Sequence, residues 1–244
     1  MFKRNNIKNF INQEIKVILK DLYIIFFKRK LKQVHKIYKF SDEDLKFAHI
    51  LEGVNYFRLA GNHGNVIPKT IFEFGCRSGR KFFTEINSAN YLNFSEVEFF
   101  AFDSFQGLPE INVESDGIFK KGTFKTLLKN FNKMIKKKTY FKLPQENIFQ
   151  GFDKDTLTKN ILEKIPKIGM VHIYVDLYSS TCEVLNFIKP LLVEETLILF
   201  GDWDCFPVGK EKVKSKAFKE FLEENKSIKF EEWKYYSTFW KNFF

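Results

Sequence analysis

Four short stretches of this 244-residue sequence place chemically useful side chains just beyond apolar segments. The first is Glu73-Phe74-Gly75-Cys76-Arg77-Ser78-Gly79. Gly75 lets the backbone turn sharply and approach a ligand, and Gly79 lets a following helix pack closely on the preceding strand. The first turn of that helix offers unpaired N–H groups to a carboxylate or other anion. The pattern is GxxxG, not the GxGxxG of dinucleotide sites, and by itself it describes any tight turn. The second stretch supplies Asp103, directly after the apolar run 97–102. Its separation from Gly79 is about that at which nucleotide-binding folds place an acid on the ribose hydroxyls. A carboxylate accepts from both hydroxyls, although Asp also serves as a helix cap. Asp176 and Asp202 stand in the same kind of position, each after an apolar run, with the same structural alternative.

Alternating elements must carry these residues. Apolar segments at 70–74, 97–102, 147–150, 170–175 and 196–200 read as strands. Helical patterns at 78–91, 123–137, 156–164, 180–192 and 214–225 separate or follow them, and 228–235 with 238–243 reads as a closing antiparallel pair. Repeated βα units imply an α/β, doubly wound, mostly parallel Rossmann-like sheet, seven-stranded once the C-terminal antiparallel pair is counted. In such sheets ligands bind at the carboxyl ends of the strands, where Gly75, Asp103, Asp176 and Asp202 fall. His172 lies inside the fourth strand, and alternation from Asp176 directs it away from the loop, so it reads as packed.

N-terminal helices precede this domain. Ile7, Phe10, Ile11, Ile15, Ile18, Leu19 and Leu22 recur at helical spacing over 1–40, and Ser41-Asp42-Glu43-Asp44 reads as the cap of a second helix reaching about Leu59. The organisation expected is a helical segment over 1–60, packed on the core or on a partner, and a catalytic domain over 61–244. Three roles suit the first helix: covering the core, forming a homo-oligomer, or making peripheral contact with a membrane through its lysine-flanked apolar run 22–27.

Composition narrows the class. Hydrophobic residues make up 44% and charged residues 29%, a globular balance. The 31 phenylalanines accompany abundant Lys, Ile and Asn, a pattern that reads as coding bias. The net charge of +10 comes from lysines spread along the chain, with no arginine-rich motif, so no nucleic-acid partner is expected. Three scattered cysteines, no CxxC pair, no signal peptide and no long apolar run fit a cytoplasmic enzyme.

The segment FDSFQGLPE at 102–110 is similar to the FDSFEGLPE segment of the macrocin O-methyltransferase family, sugar-modifying members of the class I methyltransferases. Further pieces agree in order: FEFGCRSG at 72–79, GFDKDTL at 151–157, DLYSST at 176–181, FGDW at 200–203 and AFKEFL at 217–222. The resemblance implies S-adenosylmethionine as cofactor and a hydroxyl as methyl acceptor, often on a sugar, in a glycan or a glycosylated small molecule. It implies a cofactor site made of Glu73, Gly75, Ser78, Gly79, Asp103, Ser104, Phe105, Gly151 and Phe152, with Phe152 able to stack on the adenine. Phe152 could equally pack in the core, and 105–116 reads as a flexible lid. The resemblance further implies catalytic carboxylates at Asp176 and Asp202 holding a divalent cation, usually magnesium, that acidifies vicinal hydroxyls. The sequence departs from the pattern in two places. Many relatives carry an acid where Tyr174 stands, and paired acids where this chain has Gly201-Asp202, with Asp204 nearby as a substitute. A weaker metal site or metal-free general-base catalysis would follow. Two other readings remain from the residues: a nucleotide-sugar or dinucleotide-dependent enzyme on the same sheet, and a non-catalytic basic binding module.

Overall fold

The computed structural model describes residues 42–60, 67–110, 119–138, 143–205, 207–208, 211–237 and 240–243. The helix expected over 1–40 lies outside them, as do residues 111–116 of the expected lid. The chain divides into two units, Met1–Ala48 and His49–Phe244. Of the first, only the start of helix α1 (Asp42–Ala60) is described.

The second unit alternates strands and helices. After α1 come β1 (Thr70–Phe74), α2 (Arg80–Tyr91), β2 (Glu98–Asp103), α3 (Leu128–Lys138) and β3 (Ile148–Gln150). Two short helices, α4 (Asp153–Thr156) and α5 (Lys159–Leu162), lead to β4 (Ile168–Ile173), α6 (Tyr178–Ile188) and β5 (Leu192–Gly201). A two-stranded hairpin of β6 (Pro207–Val208) and β7 (Glu211–Lys212) precedes α7 (Val213–Glu224), β8 (Glu232–Ser237) and β9 (Trp240–Phe243). The main sheet runs β3-β2-β1-β4-β5-β9-β8. Its first five strands are parallel, whereas β9 pairs antiparallel with β5 and with β8. The strand order reverses between β1 and β4, the topological switch point at which such sheets open a crevice for a ligand.

Strand alternation divides the core between the two faces. Phe72, Phe74, Phe100, Phe102, Val171, Ile173, Ile198 and Phe200 meet α6 and α7 on one face. Ile71, Phe99, Ala101, Met170, Leu197 and Leu199 meet Ile50, Val54 and Phe57 of α1, Phe82 and Ile86 of α2, and Phe131 and Ile135 of α3 on the other. Phenylalanine does much of this work. Rings of neighbouring strands stack across the sheet, Phe72 on Phe100 at 4.5 Å and Phe102 on Phe149 at 4.4 Å between centroids. Aromatic pairs of this kind contribute about 0.5–1.5 kcal/mol beyond the area they bury.

Several boundaries differ from the sequence expectation for local reasons. α2 begins at Arg80, because Gly79 adopts a left-handed conformation (φ 78°) that no helix interior accepts. The helix expected over 156–164 is split: Leu157 leaves helical geometry, and Thr158 caps α5 by accepting from the Ile161 N–H. α6 ends at Ile188 and passes into a single 3₁₀ turn containing Pro190, which cannot donate to the preceding turn.

Candidate functional site

The turn after β1 is set by its glycines. Gly75 sits at φ 91°, and a Cβ there would lie 2.7 Å from the Tyr174 carbonyl oxygen. Gly75 N–H donates to Phe102 O (2.9 Å) and Tyr174 N–H to Phe74 O (2.8 Å), so the tips of β2, β1 and β4 are tied side by side. A Cβ at Gly79 would meet the Phe131 ring at 2.8 Å, which brings α3 against the start of α2.

Asp103 ends β2 and its carboxylate locks the neighbouring loops. Oδ2 accepts from the Arg77 N–H at 2.7 Å and Oδ1 from the Phe105 N–H at 2.6 Å. Burial pushes its pKa up, while those two N–H groups and the Arg77 guanidinium pull it back. Each carboxylate oxygen keeps a further lone pair for an incoming hydroxyl. Ser104 Oγ donates to Gly107 O (2.8 Å) and Leu108 N–H to Thr123 O (3.0 Å), fixing the loop that forms one wall.

One crevice lies over these tips. Its lining includes Gly75, Asp103, Ser104, Gly151, Phe152, Asp176 and Asp202 from the expected set. Glu73, Ser78, Gly79 and Phe105 do not line it. Glu73 and Gly79 are buried beneath it, and Ser78 stays in the turn. Phe105, expected among the cofactor contacts, has its ring turned inward: at φ 54° it packs onto Phe131 at 5.4 Å, with 2% of the residue exposed. What it presents to the site is its backbone N–H on Asp103.

Residues that sequence reasoning passed over also line the crevice: Arg77, Leu108, Pro109, Phe124, Asp153 and Ser180. Arg77 lies 4.7 Å from the Phe124 ring centroid. Asp153 accepts a hydrogen bond from Ser180, and burial raises it to about 6. Asp153 directly follows Phe152, so the end of the third strand was the signal that could have found it.

The far end of the crevice is acidic. Asp176 is raised to about 6, first by burial and then by Asp202, against the pull of Lys214. Asp202 holds a left-handed conformation (φ 53°) and accepts a hydrogen bond from Tyr174, whose own pKa is raised mainly by burial. The Lys81 ammonium stands 3.4 Å from the Tyr174 ring centroid. Lys214, 1% exposed, donates from Nζ to Gly201 O at 2.5 Å. Burial lowers its pKa while Asp176 and Asp202 support its charge. Two carboxylates are within the number by which magnesium is usually held together with waters, and the donor set here also carries a phenol and a buried ammonium whose charge opposes a cation's.

His172 is packed, as its position in the strand predicts. It is fully buried and its Nδ1 lies 2.8 Å from Glu85 Oε1. Glu73, Glu85 and His172 bring ligand atoms within 4.8 Å of one another. Burial raises Glu73 to about 8, raises Glu85 well above its usual range and keeps His172 neutral. These shifts have a thermodynamic consequence. Glu73 holds its proton more tightly folded than unfolded, so its contribution to stability is present at low pH and fades as pH rises towards about 8. His172 acts in the opposite sense, but only below its unfolded value of 6.5. The thermal midpoint is therefore expected to fall between pH 6.5 and 8, and Glu73→Gln to flatten that slope. A wild-type midpoint that is constant or rising over this window would refute it.

Comparison with known proteins adds an independent line. A family model described as Macrocin-O-methyltransferase (TylF) matches residues 62–242. The O-methyltransferase NovP superposes with a TM-score of 0.63 at 16% identity, covering 82% of this chain and 78% of its own. The calicheamicin methyltransferase CalS11 gives 0.57 at 17% identity, covering 88% and 84%. An apo structure of CalS11, described as a TDP-rhamnose 3'-O-methyltransferase, gives 0.54 at 16% identity, covering 88% and 85%. At these identities the likeness is one of fold. No curated protein matches the sequence significantly.

Proposed function

The chain belongs to the macrocin O-methyltransferase family, and from that premise we propose that it transfers the methyl group of S-adenosylmethionine to a sugar hydroxyl, on a glycan or a glycosylated small molecule. Membership makes it a methyltransferase and displaces the dinucleotide-enzyme and binding-module readings. The observation that carries the finer reading is a crevice at the β1–β4 switch point lined by Asp103 on the β2 side and by Asp176 and Asp202 on the β4 and β5 side. The sugar assignment is supported by the CalS11 structure described as acting on TDP-rhamnose.

The residues present suit the cofactor. Asp103 would accept from the ribose hydroxyls, Phe152 would offer a ring face to the adenine, and Asp153 an acceptor to its amino group. Arg77 and the N–H groups entering α2 would hold the carboxylate. When bound, S-adenosylmethionine supplies an electrophilic methyl carbon on a sulfonium. The protein must then align an acceptor oxygen and remove its proton. Asp176, its pKa raised to about 6 chiefly by burial, would take that proton. The Tyr174 hydroxyl holds Asp202 beside it. The cofactor would thereby supply its methyl to the acceptor oxygen that Asp176 and Asp202 position, becoming a neutral thioether as the acceptor becomes a methyl ether.

No helix among the described residues is long and apolar enough to cross a membrane. A cytoplasmic location, self-association and membrane contact through the first helix belong to this proposal as expectations. The test of function uses methyl-labelled S-adenosylmethionine against a panel of nucleotide sugars and glycans. Label on a sugar oxygen supports the reading. Label on nitrogen or carbon, or no binding of S-adenosylmethionine in calorimetry, defeats it.

A further inference from the structure

The face of the sheet that α2 covers is apolar around three neighbouring polar side chains. Strand alternation turns Ile71 and Met170 to that face, and with them Glu73 and His172, which stand opposite each other in the β1–β4 ladder. Phe82, Ile86 and Ala89 belong to the buried stripe of α2, and Glu85 lies within it, where helical spacing calls for another apolar side chain. Glu73, Glu85 and His172 are each 1% exposed or less. His172 Nδ1 meets Glu85 Oε1 at 2.8 Å, yet Oε2 of Glu73 and Oε2 of Glu85 have no hydrogen-bond partner among the described residues. The Lys81 ammonium, whose charge acts on both glutamates, is placed against the Tyr174 ring and not on those oxygens. Carboxylate oxygens left without donors in an apolar layer are costly, and a coordinated cation is one of the few partners that satisfies them there.

We infer that Glu73, Glu85 and His172 form a buried binding site for a divalent transition-metal ion of the zinc type. Imidazole nitrogen and glutamate oxygen are both zinc ligands, taken at about 2.0–2.2 Å. The three ligand atoms lie within 4.8 Å of one another, so small side-chain rotations bring them onto one ion. Each carboxylate can bind through one oxygen or both, so protein atoms alone can fill the coordination sphere. The imidazole is neutral here, which is the form that ligates a metal. Such an ion ties β1 and β4 to α2, beneath the turn that leads from Gly75 into the helix, and none of its three ligands lines the crevice that holds Asp176 and Asp202. The decline in thermal midpoint towards pH 8 ascribed to Glu73 belongs to the metal-free chain, because a bound ion takes the place of that proton.

The test uses the full chain, expressed in zinc-supplemented medium, with bound metal measured by elemental analysis after gel filtration. About one zinc per chain is expected in wild type and in Asp176→Asn, and its loss in Glu85→Gln and His172→Gln, with folding checked by circular dichroism. Cobalt in place of zinc is expected to give wild type a visible ligand-field absorption that Glu85→Gln lacks. If the triad variants do not fold, wild type decides alone: protein from zinc-depleted medium is expected to melt below protein from supplemented medium and to recover on refolding with zinc. Zinc-free wild type, zinc retained by folded Glu85→Gln, zinc lost from Asp176→Asn, or equal midpoints with and without zinc would overturn the inference. None of these readouts involves S-adenosylmethionine, so their failure leaves the methyl-transfer reading intact, and failure of that reading leaves this site standing.

Discussion

Asp103→Ala is expected to weaken S-adenosylmethionine binding by about two orders of magnitude or more, measured by calorimetry on protein whose fold is checked by circular dichroism. The size follows from the bonds lost. Hydrogen bonds to a charged group contribute about 1.5–3 kcal/mol each, and a factor of ten corresponds to about 1.4 kcal/mol. The residue also accepts from the Arg77 and Phe105 N–H groups, so its removal frees the turn after β1 and the loop after β2 together. Two consequences should separate. Asp103→Asn keeps one acceptor oxygen and should retain part of the affinity, whereas the alanine variant loses both acceptors and also melts lower. Wild-type affinity in a folded Asp103→Ala protein would remove the basis for placing the ribose at the tip of β2.

Asp176→Asn is expected to reduce the rate of methyl transfer by about 10²–10⁴-fold while leaving S-adenosylmethionine affinity within a few-fold of wild type. The asymmetry is the informative part. In the proposed arrangement Asp176 lies at the acceptor end of the crevice with Asp202, across from Asp103, to which the nucleoside is assigned. An amide preserves its volume and cannot take a proton. If kcat is unchanged, the proton leaves by another route, and Asp202 becomes the base to examine. If cofactor affinity and rate fall together, Asp176 serves binding instead.

The strand tips were legible because sequence reports them directly. An apolar segment that ends in glycine or aspartate and leads into a helix is a local pattern, and Gly75, Asp103 and Asp176 need only that pattern to be placed. Phe105 was not legible in the same way. It belongs to the segment that carries the family resemblance, yet its left-handed backbone sends the ring into the core. Lys214 is hidden for the opposite reason: a lysine at a helix start reads as solvated, and only the tertiary contact with Gly201 buries it. The Glu73–Glu85–His172 cluster is likewise assembled from β1, α2 and β4, elements separated widely in the chain, and no spacing announces it. The abundance of phenylalanine, read from composition as coding bias, is put to structural use. Phe72, Phe100, Phe102 and Phe149 form a stacked row across three strands.

The central claim is that a sulfonium nucleoside lies over the adjoining tips of β1, β2 and β3 with its acceptor at β4 and β5. A crystal structure of the full chain with S-adenosylhomocysteine tests it most directly. The account predicts the ribose hydroxyls on the Asp103 carboxylate, the adenine beside Phe152 and the sulfur facing Asp176. Density for the ligand elsewhere on the molecule, or a ribose turned away from Asp103, would contradict it.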